Sequence, residues 1–255
     1  MNSLLQPPAP TPCRSRAAVA ATPELMVVMP VFNEQASVAR VVEEWFPALE
    51  AVGMNFVFVA IDDGSRDRTL EILESLQARL GGRFQVVSHE NRGHGQTCLE
   101  GYRFAIAEKI PWVLQIDSDG QCDPRFLAQI WARRQRNDVV YGVRKRRDDG
   151  WKRVLASHIL QLTLLLTCGA FCRDANVPYR LMRTVALEIF VDRVPSDFNL
   201  ANVAMAVLLR KDHRIRHGAV PIRFRARNGG EPSVPFGKFG TRAAELIRQL
   251  RQLSF

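Results

Sequence analysis

The chain has 255 residues, of which 47% are hydrophobic and 24% charged, and its formal net charge is +9. This length suits a single α/β domain, and the hydrophobic share is sufficient for a packed core, which excludes wholesale disorder. The excess of Lys and Arg indicates an anionic partner, which is a nucleic acid, a nucleotide phosphate or an acidic membrane surface.

Four apolar runs alternate with segments of helical spacing along the first half of the chain. Residues 1–23 are rich in Pro and Ala and lack the apolar core of a signal peptide, which predicts a disordered leader. Buried strands are predicted at 25–32, 55–63, 84–89 and 112–117, and helices at 36–53, 65–82 and 95–110. This alternation predicts an α/β fold with a Rossmann-like, mostly parallel sheet flanked by helices.

The most apolar window, residues 154–172, contains no Asp, Glu, Lys or Arg and approaches bilayer-spanning length. Polar residues and a glycine interrupt it, so a buried or interfacial helix is favoured over a membrane span. Residues 24–228 are expected to form the folded domain. Residues 229–255 predict a basic amphipathic helical segment, which either contacts a membrane surface or packs on the domain.

The cysteines are odd in number and scattered, without a Cys-x-x-Cys pair. They are Cys13, Cys98, Cys122, Cys168 and Cys172. Paired spacing is typical of disulfide frameworks and zinc sites, so we expect reduced cytosolic thiols instead.

Polar clusters follow three of the predicted strands. Asn33 and Glu34 follow the first strand, the residues 62–65 (Asp-Asp-Gly-Ser) follow the second, and the residues 117–121 (Asp-Ser-Asp-Gly-Gln) follow the fourth. In a doubly wound sheet, ligands bind at the carboxyl ends of the strands, so we expect these clusters to converge on one crevice.

Asp117 and Asp119 place two carboxylates one residue apart, where a turn can bring both onto one cation. Mg²⁺ and Mn²⁺ prefer such oxygen ligands and keep positions open for substrate phosphates, and Gln121 adds a carbonyl oxygen. The alternative is a solvated turn, since Asp and Gly are ordinary turn residues.

Common nucleotide-binding signatures are absent. The chain has neither a GxxxxGK[ST] phosphate loop nor a GxGxxG after the first strand. Residues 91–96 (Asn-Arg-Gly-His-Gly-Gln) contain a Gly-x-Gly, which by itself indicates a helix-entry loop as readily as a ligand contact.

Four segments occur in the order found in family 2 glycosyltransferases of GT-A fold, which the chain resembles over roughly residues 25–228. They are VVMPVFNEQASV, AIDDGSRDRT, NRGHGQTCLEGYRFA and QIDSDGQCDP. The resemblance implies an inverting, metal-dependent enzyme with a nucleotide-sugar donor linked to GDP or UDP. It implies Mg²⁺ or Mn²⁺ held by the Asp117-Ser118-Asp119 motif, beside which Gln121 is the candidate third ligand. Donor contacts are implied for Pro30, Asn33, Glu34, Asp62, Asp63, Ser65, Asp117 and Ser118.

Residues 141–153 and 173–183 resemble segments of the polyprenyl-phosphate glycosyltransferases, typified by dolichol-phosphate mannose synthase. In that group, arginines at these places bind the lipid phosphate, which implies Arg144 and Arg180 here, with Arg225 or Arg227 as a third. Planar, permanently charged guanidinium groups match phosphate oxygens. Each of these arginines is alternatively a solvated surface charge. Asp119, Arg144 and Arg180 are the expected catalytic residues.

The sequence leaves the acceptor open. No Glu-Asp pair of the kind that supplies a base in many hydroxyl-glycosylating relatives is present, which fits a phosphate acceptor. The alternative is a sugar or natural-product hydroxyl acceptor with Asp192 or Asp197 as base. A non-catalytic, anion-binding protein is a weaker alternative. Nucleic acid is not expected as a partner, because acidic clusters would repel its backbone. We expect a peripheral enzyme at the cytoplasmic face of a membrane.

Overall fold

The structure is a computed structural model that describes residues 22–144, 151–172, 174–195, 198, 200–225 and 239–253. The predicted leader (1–23, apart from its last two residues), Cys13, Asp197, Arg227 and the predicted boundary near residue 228 lie outside the described residues.

In the described part of the chain, one seven-stranded sheet with helices packed against it forms the centre. The strands are β1 (Leu25–Val31), β2 (Phe56–Asp62), β3 (Phe84–Ser88), β4 (Trp112–Gln115), β5 (Val139–Arg144), β6 (Arg180–Arg183) and β7 (His217–Ile222). The helices are α1 (Val38–Val52), α2 (Thr69–Leu80), α3 (His94–Ala107), α4 (Leu127–Arg133), α5 (Trp151–Cys168), α6 (Thr184–Glu188), α7 (Ala201–Lys211) and α8 (Phe239–Gln252). The seven predicted elements of the first half are all confirmed.

The strand order is β3-β2-β1-β4-β6-β5-β7. β6 runs antiparallel to both of its neighbours, and every other pairing is parallel, so six strands point the same way. This arrangement confirms the predicted Rossmann-like, mostly parallel sheet. Because β5 and β7 run in the direction of β4, the loops after all three open at one edge of the sheet.

β1 and β2 are buried along their whole length, as expected for central strands covered by helices on both faces. α3 approaches β1 so closely that a Cβ on Gly101 would overlap a methyl group of Val28. Glycine at this position therefore lets the helix lie directly on the strand, which fixes where its first turn meets the sheet edge.

The apolar window forms most of α5, and within the described chain no helix is both long and apolar enough to cross a membrane. α8 packs against α5, and its residues Leu246 and Leu250 are buried. α8 thus packs on the domain, and its contact with a membrane surface stays a prediction. Cys98, Cys122, Cys168 and Cys172 are buried free thiols.

Candidate active site at the carboxyl edge of the sheet

The carboxyl ends of β2, β1 and β4 lie side by side, since these three strands are neighbours. Asp62 closes β2 and pairs in register with Val31, the last residue of β1. Asn33 and Glu34 follow β1, and Asp117 follows β4. The polar clusters therefore meet at one edge of the sheet, which is where open parallel sheets bind their ligands.

Hydrogen bonds tie the turn after β1 to the loop after β2. Asn33 has a left-handed backbone (φ 53°), which Asn adopts more readily than most residues. Its backbone N–H donates to Ser65 Oγ at 2.9 Å, and its side-chain oxygen accepts the Arg66 amide at 2.8 Å. The backbone N–H of Glu34 donates to Thr69 Oγ1 at 2.9 Å. Asn33 and Ser65, which are both predicted to contact the nucleotide sugar, are thus held together.

The hydroxyl of Ser37 links Glu34, which follows β1, to Ser118, which follows β4. The Ser37 hydroxyl donates to the carboxylate of Glu34 at 2.7 Å and lies 3.1 Å from the carbonyl oxygen of Ser118. Pro30 is buried within β1, where it pairs in register with Ile61. Pro30, Glu34 and Ser118 are all buried, so they lie beneath the surface of the crevice.

Asp62 and Asp63 are adjacent and buried, yet their carboxylates differ in their partners. Both oxygens of Asp63 accept backbone N–H groups of residues 92–93, at 2.7 and 3.0 Å. Asp62 Oδ2 accepts the Ser65 N–H and the Ser88 hydroxyl. Asp62 Oδ1 is buried, and no described residue donates to it. Since an unpaired buried acceptor is costly, Asp62 is the better candidate to accept a ligand's N–H or O–H.

Asp117 and Asp119 lie in the turn after β4, and both are partly exposed. The turn passes through Gly120, whose φ of 76° favours glycine. The backbone N–H of Gln121 donates to Asp119 Oδ1 at 3.0 Å. The imidazole Nε2 of His94 lies 3.1 Å from Asp117 Oδ1. Each carboxylate is therefore oriented by a hydrogen bond to one oxygen.

This donor set suits a divalent cation that is shared with a substrate. Mg²⁺ and Mn²⁺ favour carboxylate oxygens and keep positions for phosphates and water. Within the described part of the chain, no group of three or more His, Cys, Asp or Glu side chains is arranged to hold a metal ion. Asp117 and Asp119 are the carboxylates of this turn that could hold such a cation. The side-chain amide of Gln121 donates to the Arg225 carbonyl at 3.4 Å, and its role as a metal ligand stays a prediction.

Arg225, just beyond β7, joins three parts of this edge. Its backbone N–H donates to the Gln121 carbonyl at 3.1 Å. Its guanidinium pairs with Glu44 of α1 and with Asp123, the latter at 2.9 Å. Burial alone would raise the pKa of Asp123, but hydrogen bonds from Arg125 and Arg225 outweigh it and lower that pKa to about 2. Arg225 thus holds the loop after β4 against α1.

Arg144 is the last residue of β5, so it reaches the same edge. Its guanidinium forms a two-pronged ion pair with Asp174, at 2.8 and 2.5 Å. The guanidinium carbon lies 5.1 Å from the ring centre of Phe224, a cation–π distance. These contacts fix a partly exposed positive group beside the crevice.

The prediction that Arg180 acts in catalysis and binds the acceptor phosphate is wrong. Its side chain is 0% exposed. Its guanidinium donates to the backbone carbonyls of Ala175, Val177 and Asn202 at 2.9–3.1 Å. Donors that satisfy buried carbonyls are not available to a ligand, so Arg180 instead anchors the chain before β6.

Asp192, an alternative base for a hydroxyl acceptor, is 80% exposed and pairs with Arg103 at 3.0 Å. Arg103 is nine residues beyond His94 on α3, about 13 Å further along the helix axis. Asp192 is therefore displaced from the turn that carries Asp117, and its position does not support the alternative.

The sequence interpretation did not select His94, although it noted the Gly-x-Gly around it. His94 is the first residue of α3, and the loop before it is fixed by the Asp63 carboxylate. A signal was present in the His-x-x-x-Cys spacing, because residues four apart on a helix share a face. Only the sheet order, however, brings the start of α3 beside Asp117.

Comparisons with known proteins agree with this geometry. Residues 26–189 match the family described as glycosyl transferase family 2. Over 164 residues, the chain is 30% identical to the undecaprenyl-phosphate 4-deoxy-4-formamido-L-arabinose transferase of Edwardsiella ictaluri, which covers 64% of this chain and 50% of that protein. The enzyme of the same name from Pseudomonas paraeruginosa is 31% identical over 165 residues, covering 64% of this chain and 48% of that protein. The chain thus spans about half the length of these curated relatives.

Solved structures share the fold at low sequence identity. Glucosyl-3-phosphoglycerate synthase from Mycobacterium tuberculosis, in complex with Mn²⁺, uridine diphosphate and glucosyl-3-phosphoglycerate, matches with a TM-score of 0.66 and 18% identity. The match covers 91% of this chain and 81% of that one. Mannosyl-3-phosphoglycerate synthase from Rubrobacter xylanophilus matches with a TM-score of 0.67 and 15% identity, covering 90% and 75% respectively. These similarities show a GT-A fold.

Proposed function

Because the chain belongs to glycosyl transferase family 2, we propose that it transfers a sugar from a nucleoside-diphosphate sugar to a polyprenyl phosphate. The observation that carries the proposal is the meeting of acidic and basic groups at one sheet edge. Carboxylates follow β1, β2 and β4, and arginines follow β5 and β7.

The acidic side of the crevice is proposed to bind the donor. Asp62 offers a buried oxygen to an N–H or O–H of the nucleoside, with Asn33 and Ser65 beside it. Asp117 and Asp119 are proposed to hold Mg²⁺ or Mn²⁺ against the diphosphate. When bound, this cation would stabilise negative charge on the departing nucleoside diphosphate. The structural neighbour from Mycobacterium tuberculosis was solved with Mn²⁺ and uridine diphosphate, which is consistent with such a donor.

The basic side is proposed to bind the acceptor phosphate. Arg144 and Arg225 are partly exposed and are held in place by ion pairs with Asp174, Glu44 and Asp123. Ordered guanidinium groups bind phosphate without the entropic cost of fixing a free side chain. The curated relatives are named undecaprenyl-phosphate 4-deoxy-4-formamido-L-arabinose transferases, and this name supports a lipid phosphate as acceptor.

In the proposed reaction, an acceptor phosphate oxygen attacks C1 of the sugar from the face opposite the diphosphate. The new C1–O bond forms as the bond from C1 to the diphosphate oxygen breaks, and the configuration at C1 inverts. The acceptor oxygen is already anionic, so no general base is required. This agrees with the position of Asp192, which is paired with Arg103 away from the crevice. The protein's contribution is to position both phosphates.

We also propose that the enzyme is peripheral and lies on a membrane, at its cytoplasmic face, through α5. Ile159, Leu162, Leu165 and Leu166 form an exposed apolar face, and Leu166 is 76% exposed. The hydroxyls of Thr163 and Thr167 need no water, since Thr163 donates to the Ile159 carbonyl and Thr167 to the Thr163 carbonyl. An exposed apolar face beside internally bonded threonines suits the interfacial layer of a bilayer.

The test is sugar transfer from a panel of nucleotide sugars to a short polyprenyl phosphate, with Mn²⁺, with Mg²⁺ and with EDTA. We expect transfer that EDTA and Asp119→Ala both abolish. An Arg144→Gln variant should raise the KM for the lipid phosphate at least tenfold and leave the KM for the donor within twofold. Arg136→Gln, which changes an exposed arginine after α4, is the matched control. Transfer to a hydroxyl acceptor, with the lipid phosphate inert, would refute the acceptor assignment.

A further inference from the structure

A chain of three side chains leads from the interior of α3 to the candidate metal turn. His94 Nε2 lies 3.1 Å from Asp117 Oδ1, and His94 Nδ1 lies 3.8 Å from Cys98 Sγ. His94 and Cys98 are four residues apart on α3, so their side chains share one helix face. Cys98 is fully buried, whereas the His94 side chain is 52% exposed. The imidazole is therefore held from below and faces the site.

The contact with Asp117 indicates that Nε2 carries a hydrogen, because a carboxylate only accepts hydrogen bonds. The Cys98 sulfur lies 3.8 Å from Nδ1 and 4.0 Å from Nε2, so it contacts the ring without selecting one nitrogen. Cys98 thus supports the imidazole from the buried side, and the hydrogen bond to Asp117 sets its orientation.

From these contacts we propose that His94, supported by Cys98, is a positioning residue for Asp117. With Oδ1 held by the imidazole, Oδ2 is the oxygen left to bind a cation, and no described residue hydrogen-bonds to it. Hydrogen bonds to ligating carboxylates orient the ligand, and their loss typically lowers metal affinity about 10–100-fold. This inference rests on the proposed function, because it assumes a cation at Asp117 and Asp119.

The neighbouring histidine of the same loop does not take this role. His89 is buried beside Asp63 and Glu100, not beside the turn after β4. His89 follows β3 and His94 begins α3, and of these two histidines only His94 lies within hydrogen-bond distance of Asp117. The effect on the metal should be specific to His94.

The experiment measures Mn²⁺ binding to the full chain directly, by the loss of the free Mn²⁺ EPR signal in the presence of uridine diphosphate. The Mn²⁺ binding that is lost in Asp119→Ala is the binding that belongs to the candidate site. We expect His94→Phe, which keeps a ring but no donor, to raise the Kd for Mn²⁺ about tenfold. His94→Gln, which keeps an N–H, should recover part of the loss, and Cys98→Ala should weaken binding about two- to threefold. His213→Phe, at an exposed histidine after α7, should leave the Kd unchanged.

A His94→Phe variant that keeps its melting temperature and binds Mn²⁺ within twofold of the wild type would overturn the inference. So would Mn²⁺ binding that Asp119→Ala does not alter, because the ion would then lie elsewhere. The proposed function fails separately, if the wild type binds Mn²⁺ through Asp119 but transfers no sugar. In that case a weakened His94→Phe complex would still support the positioning role.

Discussion

Replacing Asp62 and Asp63 one at a time by Asn should separate ligand binding from folding. In Asp62→Asn, the amide oxygen can take the place of Oδ2 and keep both of its hydrogen bonds, while the amide nitrogen replaces the unpaired Oδ1. Stability should therefore change little. A ligand N–H or O–H that met Oδ1 would now face an NH₂ group. A hydrogen bond to a charged group contributes about 1.5–3 kcal/mol, so the Kd for the nucleotide should rise about 10–100-fold.

Asp63→Asn should have the opposite effect. Both oxygens of Asp63 accept backbone N–H groups, and an amide has only one oxygen to offer. One N–H of residues 92–93 would then face an NH₂ group, at a cost of about 2–3 kcal/mol of unfolding free energy. The assays are urea unfolding and calorimetric titration with uridine and guanosine diphosphates in Mn²⁺. The reasoning is refuted if Asp62→Asn binds both nucleotides as the wild type does, or if it loses as much stability as Asp63→Asn.

Three further perturbations test other parts of the structure. The pKa of Asp123 is lowered to about 2 from an ordinary 3.8. Its ion pairs therefore add about 2 kcal/mol to the free energy of unfolding above pH 4, and this contribution is lost as the pH falls toward 2. Unfolding of wild type and Asp123→Asn between pH 2 and 5 should show this difference, and parallel pH profiles would contradict it. Gly101→Ala should destabilise by about 1–3 kcal/mol through its contact with Val28, and adding Val28→Ala should restore part of the loss in urea unfolding. The double variant Leu162→Ser, Leu166→Ser should keep its melting temperature, while the fraction of protein that sediments with anionic vesicles should fall at least threefold. If that fraction is unchanged, α5 is not the membrane contact.

The fold of the first half was predictable because local signals there agree with one another. Buried parallel strands correspond to continuous apolar runs in the sequence. These runs end at Asn-Glu, at Asp-Asp-Gly and at Asp-Ser-Asp-Gly. The second half gave weaker signals. The short antiparallel β6 lies between β4 and β5 in the sheet, although it follows both in the chain.

The sequence by itself determined that carboxylates close three strands and that arginines follow in the later segments. Residue type and order are enough for this, since strand ends of a parallel sheet share an edge. Only the tertiary structure decided the role of each group. Arg180 and Arg144 look alike in the sequence. In the structure, Arg180 donates its hydrogen bonds to buried carbonyls, whereas Arg144 reaches the crevice. Asp62 and Asp63 are adjacent, yet only Asp62 keeps a buried oxygen without a donor. The physical reason is that desolvation and hydrogen-bond partners come from residues distant in the chain, and no local pattern records them.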